Sequence, residues 1–79
     1  GLTGTVADIR MIMKEAIDSL ASAIILCHNH PSGNLTPSQA DKQLTNKIAN
    51  ACRLLDIQIV DHIILTDIAY YSFKDSGDL

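Results

Sequence analysis

The sequence has no cluster of basic residues and little charge of either sign. Six Lys and Arg are scattered among 79 residues, against nine Asp and Glu, so the net charge is −3 and the pI is near 5.3. A domain that binds nucleic acid usually carries a basic stripe. The composition therefore gives no support for direct DNA or RNA binding by this segment. Only 19 % of residues are charged and 47 % are hydrophobic, which indicates a folded globular domain.

Long hydrophobic runs and cysteine pairs are also missing. The longest uncharged apolar run, residues 20–27, is far shorter than a bilayer span. No secretory leader is recognisable, so we expect a cytoplasmic protein with no membrane partner. Two cysteines, Cys27 and Cys52, are too few for a disulfide scaffold, and no Cys-x-x-Cys pair offers a structural zinc site. We expect both to be reduced and buried, with Cys27 facing away from His28 and not acting as a ligand.

The chain is short enough for one small domain, whose core is marginal on its own. It begins Gly-Leu-Thr-Gly with no initiator Met, and we expect residues 1–79 to be a single domain forming the C-terminal portion of a longer chain. Metal, dimerisation or the rest of that chain would then help to hold the core. A homodimer is expected because a small domain with several apolar strands leaves a sheet edge to cover.

The first half of the chain predicts a strand, a helix and a second strand. Residues 1–6 are β-branched and Gly-rich and indicate the tail of a strand or an edge strand. From Asp8, a candidate N-cap, a helix is predicted over about 8–21 because apolar residues recur at helical spacing: Ile9, Ile12, Met13, Ala16, Ile17 and Leu20. The apolar run over 21–28 predicts a strand buried on both faces.

The second half continues the alternation. Thr36 as N-cap, Pro37 as first helical residue and Gln39 as capping-box partner predict a helix over about 37–55. Its apolar stripe would comprise Ala40, Leu44, Ile48, Ala51 and Leu55. Strands are predicted over 58–65 and 70–73, before a polar tail. The order β-α-β-α-β-β predicts an α/β fold with helices packed on a sheet.

The stretch HNHPSGNLTPSQAD, residues 28–41, carries the chemistry. His28 and His30 are two apart at the C-terminal end of a predicted strand and project the same way. Ser38 and Asp41 share one face of the next helix, which a short turn can fold back over the strand end. Two imidazoles and one carboxylate match a catalytic zinc site, where bound water has a pKa near ~7. Fe and Mn accept the same ligands.

Other interpretations of these residues stay open. The histidines would serve equally as polar surface or hydrogen-bonded core, Ser38 as a backbone partner in the first helical turn, and Asp41 as a carboxylate favoured by the helix dipole. Their occurrence together favours metal. Asp61 and His62, inside an apolar strand, would make structural hydrogen bonds or orient a ligand histidine, and His62 is also a fallback ligand.

The spacing His-x-His, seven residues, Ser-x-x-Asp resembles the JAMM motif of the JAB/MPN metalloprotease superfamily. Together with "DHIIL" and "YYSF" it resembles the RadC branch, long labelled DNA repair proteins, over nearly the whole chain. The resemblance implies a cytidine-deaminase-like fold, a mixed central sheet flanked by helices in three layers, here without its N-terminal part. It also implies one Zn²⁺ per chain on His28, His30 and Asp41, with Ser38 helping to stabilise an oxyanion.

That resemblance implies a zinc-dependent metallopeptidase acting on a peptide or isopeptide bond of an unidentified protein substrate. The family's general base is a Glu on the strand before the first helix, and nothing acidic precedes Asp8. We expect that Glu upstream of Gly1. Glu15, the only Glu in the chain, is expected on a solvated helix face.

Two further function classes compete with hydrolysis. The first is a non-catalytic interaction or scaffold domain, and the second is a DNA-repair-associated accessory domain, which the acidic composition does not favour. An HNH nuclease is excluded, because the three residues of that motif are scattered through a ββα-metal fold and here stand side by side.

Overall fold

A computed structural model of the chain describes residues 8–79. They form two helices and three strands: α1 (Ile9–Asp18), β1 (Ala23–Asn29), α2 (Gln39–Leu54), β2 (Gln58–Leu65) and β3 (Tyr70–Ser72). The predicted order of elements is confirmed from the first helix onward. The strand predicted over 1–6 lies outside the described residues. Neither helix in 8–79 has both the length and the apolar character needed to cross a membrane.

The sheet is mixed, as predicted, with strand order β1-β2-β3. β1 pairs with β2 in parallel, and β2 pairs with β3 antiparallel. A parallel pair requires a crossover, and α2 supplies it. The described residues are therefore a small α/β fold in which residues 30–38 connect the end of β1 to the first turn of α2.

The core lies between the two helices and one face of the sheet. Its buried members are Met13, Ala16, Ile48, Cys52 and Ile57. Ile24 and Leu26 pack against them from β1. This confirms burial for Cys52 and for the middle of each predicted apolar stripe.

Two predictions about β1 are wrong, because the face of the strand that points away from the helices is exposed. Side chains along β1 alternate between exposed and half-buried, and Ile25 is 60 % exposed. Neither helix covers this face, so β1 is not buried on both sides. Cys27 lies there and is exposed, not buried, while both cysteines are free. Its direction away from His28 is as predicted.

A β-bulge in β2 decides which polar side chain faces the helices. Ile24 pairs with Ile59, but Ile25 pairs with Asp61, so Val60 is an extra residue. Regular alternation would place Asp61 on the same side as Ile59. The bulge reverses the alternation, so that the next residue, His62, turns toward the helices and is 2 % exposed.

The start of α2 differs from the prediction by two residues. The N-cap is Ser38, not Thr36, and its partner is Asp41, not Gln39. The Ser38 hydroxyl accepts the Asp41 N–H at 3.0 Å, and the Asp41 carboxylate accepts the Ser38 N–H at 2.8 Å. Asp therefore completes the capping box in the place where Glu or Gln is usual. The capping box therefore links Ser38 and Asp41, the two residues of the motif that lie at the start of α2.

The C-terminal ends of both helices also differ from expectation. Each ends in a residue with left-handed backbone, Leu20 (φ 51) and Asp56 (φ 56). In α1 the N–H of Ala21 reaches back to the Ala16 carbonyl at 2.9 Å, the bond of a Schellman motif. The last two members of the predicted stripe are exposed, Ile17 in the last turn of α1 by 51 % and Leu20 beyond the end of the helix by 89 %. The ends of the α2 stripe are likewise exposed: Ala40 and Leu55.

Candidate metal centre

A turn after β1 folds the first turn of α2 over the end of the strand. The backbone N–H of His30 bonds to the Leu65 carbonyl at 2.8 Å, which extends the pairing of β1 with β2. The chain then turns at Gly33, whose φ of 81° suits glycine and whose N–H bonds to the His30 carbonyl at 3.0 Å. The sequence prediction of a turn here is confirmed.

The turn brings His28, His30 and Asp41 together. Their candidate ligand atoms all lie within 4.8 Å of one another, and the three residues are half-buried. His28 Nε2 is 3.4 Å from Asp41 Oδ1, and His30 Nε2 is 3.4 Å from Asp41 Oδ2. The two Nε2 atoms are 2.9 Å apart. The predicted convergence is thus present, whereas metal binding by it stays a prediction.

The separations fit a tetrahedral cation. Ligands about 2.0–2.1 Å from zinc stand about 3.3–3.4 Å from one another along a tetrahedral edge. The two His–Asp separations of 3.4 Å run to different oxygens of Asp41, so each oxygen stands at a tetrahedral edge length from one histidine, and the His–His separation of 2.9 Å is a few tenths shorter than such an edge. Neutral imidazole nitrogens facing each other with lone pairs repel unless a proton or a cation lies between them. The donor set therefore suits a divalent metal.

The backbone fixes the protonation pattern of His30. Its Nδ1 lies 2.7 Å from the carbonyl oxygen of Asn34. A carbonyl only accepts, so Nδ1 carries the hydrogen in the neutral ring and Nε2 keeps its lone pair. Because Nε2 is the atom that faces Asp41, His30 presents a ligand atom to the centre of the cluster.

The electrostatics favour ligand forms of the other two side chains. Burial acts to raise the pKa of Asp41, but the hydrogen bonds from Ser38 and the nearby imidazoles outweigh it and hold that pKa below 3.8. Burial is also the main cause that lowers the pKa of His28 below 6.5. At neutral pH the cluster therefore holds a carboxylate and a neutral imidazole, which are the forms that bind metal.

Ser38 stands beside the cluster as the N-cap of α2. Its oxygen accepts the Asp41 N–H, which leaves the hydroxyl hydrogen available to donate. The side chain is exposed, as access to a substrate requires. Glu15 is exposed on α1 and is not a member of the His–His–Asp group, as expected for a solvated helix residue.

The two polar residues of β2 have different surroundings. Asp61 accepts hydrogen bonds from its neighbour's backbone at 2.7 Å, from Ser72 Oγ at 2.5 Å and from the Lys74 N–H at 3.0 Å. Although burial acts to raise its pKa, these bonds hold it below 3.8. Asp61 therefore joins β2 to the end of β3, in line with the structural interpretation of this residue.

His62 lies on the other side of the sheet, against the cluster. Its Nε2 is 2.9 Å from His28 Nδ1, and its ring stacks on Phe73 with centroids 4.3 Å apart. Burial lowers its pKa from 6.5 to about 4. Since His62 reaches the far nitrogen of His28, it does not stand as a fourth member of the ligand group.

Thr45 is the residue that the sequence reasoning missed. It is 1 % exposed on α2, its hydroxyl donates to the Asp41 carbonyl at 2.8 Å, and it contacts His62 Nδ1 at 2.6 Å. The buried face of α2 was predicted from apolar residues alone, so the polar Thr45 was not included. Its position four residues after Asp41, on one helix face, was the available indication.

Comparisons with known proteins identify the family of the chain. A family profile described as RadC-like JAB domain matches residues 1–78. A protein named UPF0758 from Flavobacterium johnsoniae is 53 % identical over 77 residues, which is 98 % of this chain and 34 % of that protein. A namesake from Porphyromonas gingivalis is 51 % identical over 78 residues, with the same coverage.

A further UPF0758 protein, from Streptococcus gordonii, is 44 % identical over 78 residues, or 99 % of this chain and 34 % of its own. The chain spans about a third of the length of these relatives. A small α/β fold with a His–His–Asp group at the end of a parallel strand is thus a JAB-type domain. The chain belongs to the RadC-like JAB domain family.

Proposed function

We propose that this chain is the metal-binding part of a zinc-dependent hydrolase that cleaves peptide or isopeptide bonds. The observation that carries the proposal is the convergence of His28, His30 and Asp41 within 4.8 Å. Three protein ligands with one position left for water or substrate are the pattern of catalytic, not structural, zinc. The half-burial of the group leaves one side open to a substrate.

Zinc is the proposed metal because two imidazoles and one carboxylate are a ligand set of catalytic zinc sites. Bound zinc would polarise the scissile carbonyl and make water acidic enough to be deprotonated near neutral pH. Elemental analysis would distinguish it from Fe or Mn, which accept the same ligands.

The chain's own residues have separate tasks in this proposal. Asp41 supplies the negative charge, and its capping box with Ser38 holds its carboxylate in place. Ser38 has a free hydroxyl hydrogen beside the ligands, where it would donate to the oxyanion that forms during attack on the carbonyl. His28 and His30 supply neutral nitrogens.

The general base is the missing member. The group contains no Glu, and the exposed side chain of Glu15 is a poor candidate. We propose that the base is a Glu in the longer protein, upstream of this segment, as the JAMM resemblance implies. The relatives, of which this chain covers 34 %, have room for it.

The test is cleavage of a peptide library and of isopeptide-linked substrates by the full-length protein. We expect activity that EDTA abolishes and zinc restores, and that His30→Ala removes. Glu15→Gln is the matched control and is expected to leave turnover unchanged. Loss of turnover in Glu15→Gln would contradict our assignment of the base, and cleavage unaffected by EDTA or His30→Ala would contradict the proposal as a whole.

The alternative is a protein-interaction domain without catalysis, and the exposed apolar side chains favour it. Ile25 is 60 % exposed and Leu65 37 % exposed. In the proposed three-layer arrangement, the longer protein covers the face of β1 that holds Ile25. A partner protein bound there, with no metal in the His–His–Asp group, would support the alternative.

Three further points belong to the proposal. We place residues 1–79 as one domain in the C-terminal portion of the longer protein, in the cytoplasm, where the two free cysteines stay reduced. We also propose a homodimer, since β1 and β3 are the edges of the described sheet. Light scattering of the full-length protein would measure the dimer.

A further inference from the structure

A line of hydrogen bonds continues from the metal ligands into the core. His28 Nδ1 is 2.9 Å from His62 Nε2, and His62 Nδ1 is 2.6 Å from Thr45 Oγ1. The Thr45 hydroxyl is 2.8 Å from the carbonyl oxygen of Asp41. His62 and Thr45 are 2 % and 1 % exposed, so water does not compete for these bonds. The line begins at one ligand and returns to the backbone of another.

The donor and the acceptor of each bond can be assigned by starting from the Asp41 carbonyl. The Asp41 carbonyl only accepts, so Thr45 uses its single hydroxyl hydrogen to donate to it. The Thr45 oxygen must then accept the hydrogen of His62 Nδ1. A neutral imidazole has one N–H, so His62 Nε2 carries a lone pair and accepts from His28 Nδ1.

These bond directions determine the tautomer of His28. With its hydrogen on Nδ1, its Nε2 carries a lone pair, and Nε2 is the atom 3.4 Å from Asp41 Oδ1. The other tautomer would place a hydrogen on Nε2, where it would block a metal. A hydrogen-bond partner on the second nitrogen is how proteins fix the orientation and tautomer of a ligating histidine.

The surroundings of His62 suit this task. Its ring stacks on the fully buried Phe73 at an interplanar angle of 13°, which restricts ring rotation. The extra residue Val60 turns His62 toward the helices. Bulges of this kind re-aim side chains next to functional sites. Packing alone would not require an acceptor nitrogen 2.9 Å from a ligand.

We propose that His62 is a positioning residue of the metal centre, which holds His28 in the tautomer whose Nε2 lone pair faces the metal, with Thr45 fixing the tautomer of His62 in turn. This inference rests on the proposed function, because it concerns the same site. It assigns no contact between His62 and the metal or the substrate.

The test compares two variants of similar size in the full-length protein. His62→Gln retains a strong acceptor for His28, whereas the thioether of His62→Met is only a weak one. We expect zinc affinity, measured by competition with a chromophoric chelator, to fall about 10–100-fold in His62→Met and to stay within about threefold of wild type in His62→Gln. Thr45→Val, which keeps the shape and removes the hydroxyl, should give an intermediate loss.

A second measurement does not depend on metal. Nitrogen-15 NMR of histidine-labelled, metal-free wild type reports which ring nitrogen of His28 carries the hydrogen, and we expect Nδ1. Absence of a hydrogen from His28 Nδ1 would overturn the inference. So would equal zinc affinities in the Met and Gln variants, whether both match wild type or both are weakened, when thermal melting shows both to be folded.

The two proposals fail in different ways. If wild type binds no zinc, the proposed function fails, and the tautomer of His28 alone decides whether His62 fixes it. If wild type binds zinc and His62→Met binds it equally well, the metal centre stands and the role of His62 is overturned.

Discussion

Each candidate ligand makes a hydrogen bond with a residue outside the His–His–Asp group. His30 is fixed through Nδ1 by the Asn34 carbonyl, and Asp41 through the N–H of Ser38. His28 is bonded through Nδ1 to His62. Sites whose ligands are held before the metal arrives bind it more tightly, because less freedom is lost on binding. The residues around the three ligands therefore matter as much as the ligands.

A substitution at Ser38 can separate the contribution of this residue to stability from its proposed contribution to catalysis. Ser38→Ala removes the side-chain half of the capping box but keeps the backbone N–H that holds Asp41. We expect it to cost about 1 kcal/mol of stability and to leave zinc content unchanged. Turnover should fall about 100- to 1,000-fold, because an oxyanion donor is lost.

The measurements are urea denaturation, elemental analysis and peptide cleavage on the same preparation of Ser38→Ala. Thr36→Ala is the matched control, since Thr36 is the nearby hydroxyl residue that does not cap the helix. Turnover equal to wild type in the Ser38 variant would limit this residue to capping.

Both helices end in the same way, and neither has glycine at the position with left-handed backbone. Leu20 and Asp56 take left-handed backbone at the position where glycine is common. Leucine pays a steric penalty there, and Leu20 is also 89 % exposed, so its side chain contributes little packing in return.

Leu20→Gly is therefore expected to stabilise the protein, by about 1 kcal/mol, because it relieves the left-handed strain at φ 51. Ser19→Gly is the control one residue earlier. Ser19 has φ −83, where glycine brings only extra freedom in the unfolded chain, so this variant should be neutral or destabilising. Urea denaturation measures both, and a less stable Leu20→Gly protein would contradict the account of this helix end.

The elements also show what sequence patterns predict well. Apolar spacing predicted α1, α2 and their connection to the strands, because helix periodicity and turn residues act locally. The site could be predicted from residues 28–41 because the strand end, the turn and the helix start lie next to one another in the chain. Exposure of one face of β1 could not be predicted, since a run of apolar residues has no alternation to reveal it.

Features that depend on residues far apart in the chain could not be predicted from the sequence. The bulge at Val60 has no glycine to mark it, yet it exchanges the faces of Asp61 and His62. Thr45 is polar and was left out of the buried stripe, although its bonds to Asp41 and His62 explain why it is buried. The bulge depends on the pairing of β2 with β1, and the burial of Thr45 depends on its contact with β2, and local patterns record neither.

For the whole molecule, the buried His62 predicts how stability depends on pH when metal is removed. Burial lowers its pKa from 6.5 to about 4 in the folded state. Between these values the unfolded chain binds more protons, so the free energy of unfolding falls as pH decreases from about 6.5 to about 4. The loss from this residue is roughly 3 kcal/mol at most. Asp41 and Asp61, with lowered pKa values, add a further loss only below about pH 4.

Amide hydrogen exchange of α2 and β2 in the full-length protein, with EDTA present, measures this dependence. His62→Gln removes this titrating ring and should reduce the loss between pH 6.5 and 4, while His28, whose pKa is also lowered by burial, keeps its share of the loss. A wild-type profile that is flat over this range would show that His62 is not buried as a neutral ring.

We propose that His28, His30 and Asp41 bind a metal ion, and the metal content of the purified protein is the first quantity to measure. The measurement is elemental analysis of the full-length protein purified without added metal, for wild type and for His28→Ala. We expect about one zinc per chain in wild type and its loss in His28→Ala. No stoichiometric metal in wild type, even after zinc is supplied, would contradict the account and leave the three residues as structure.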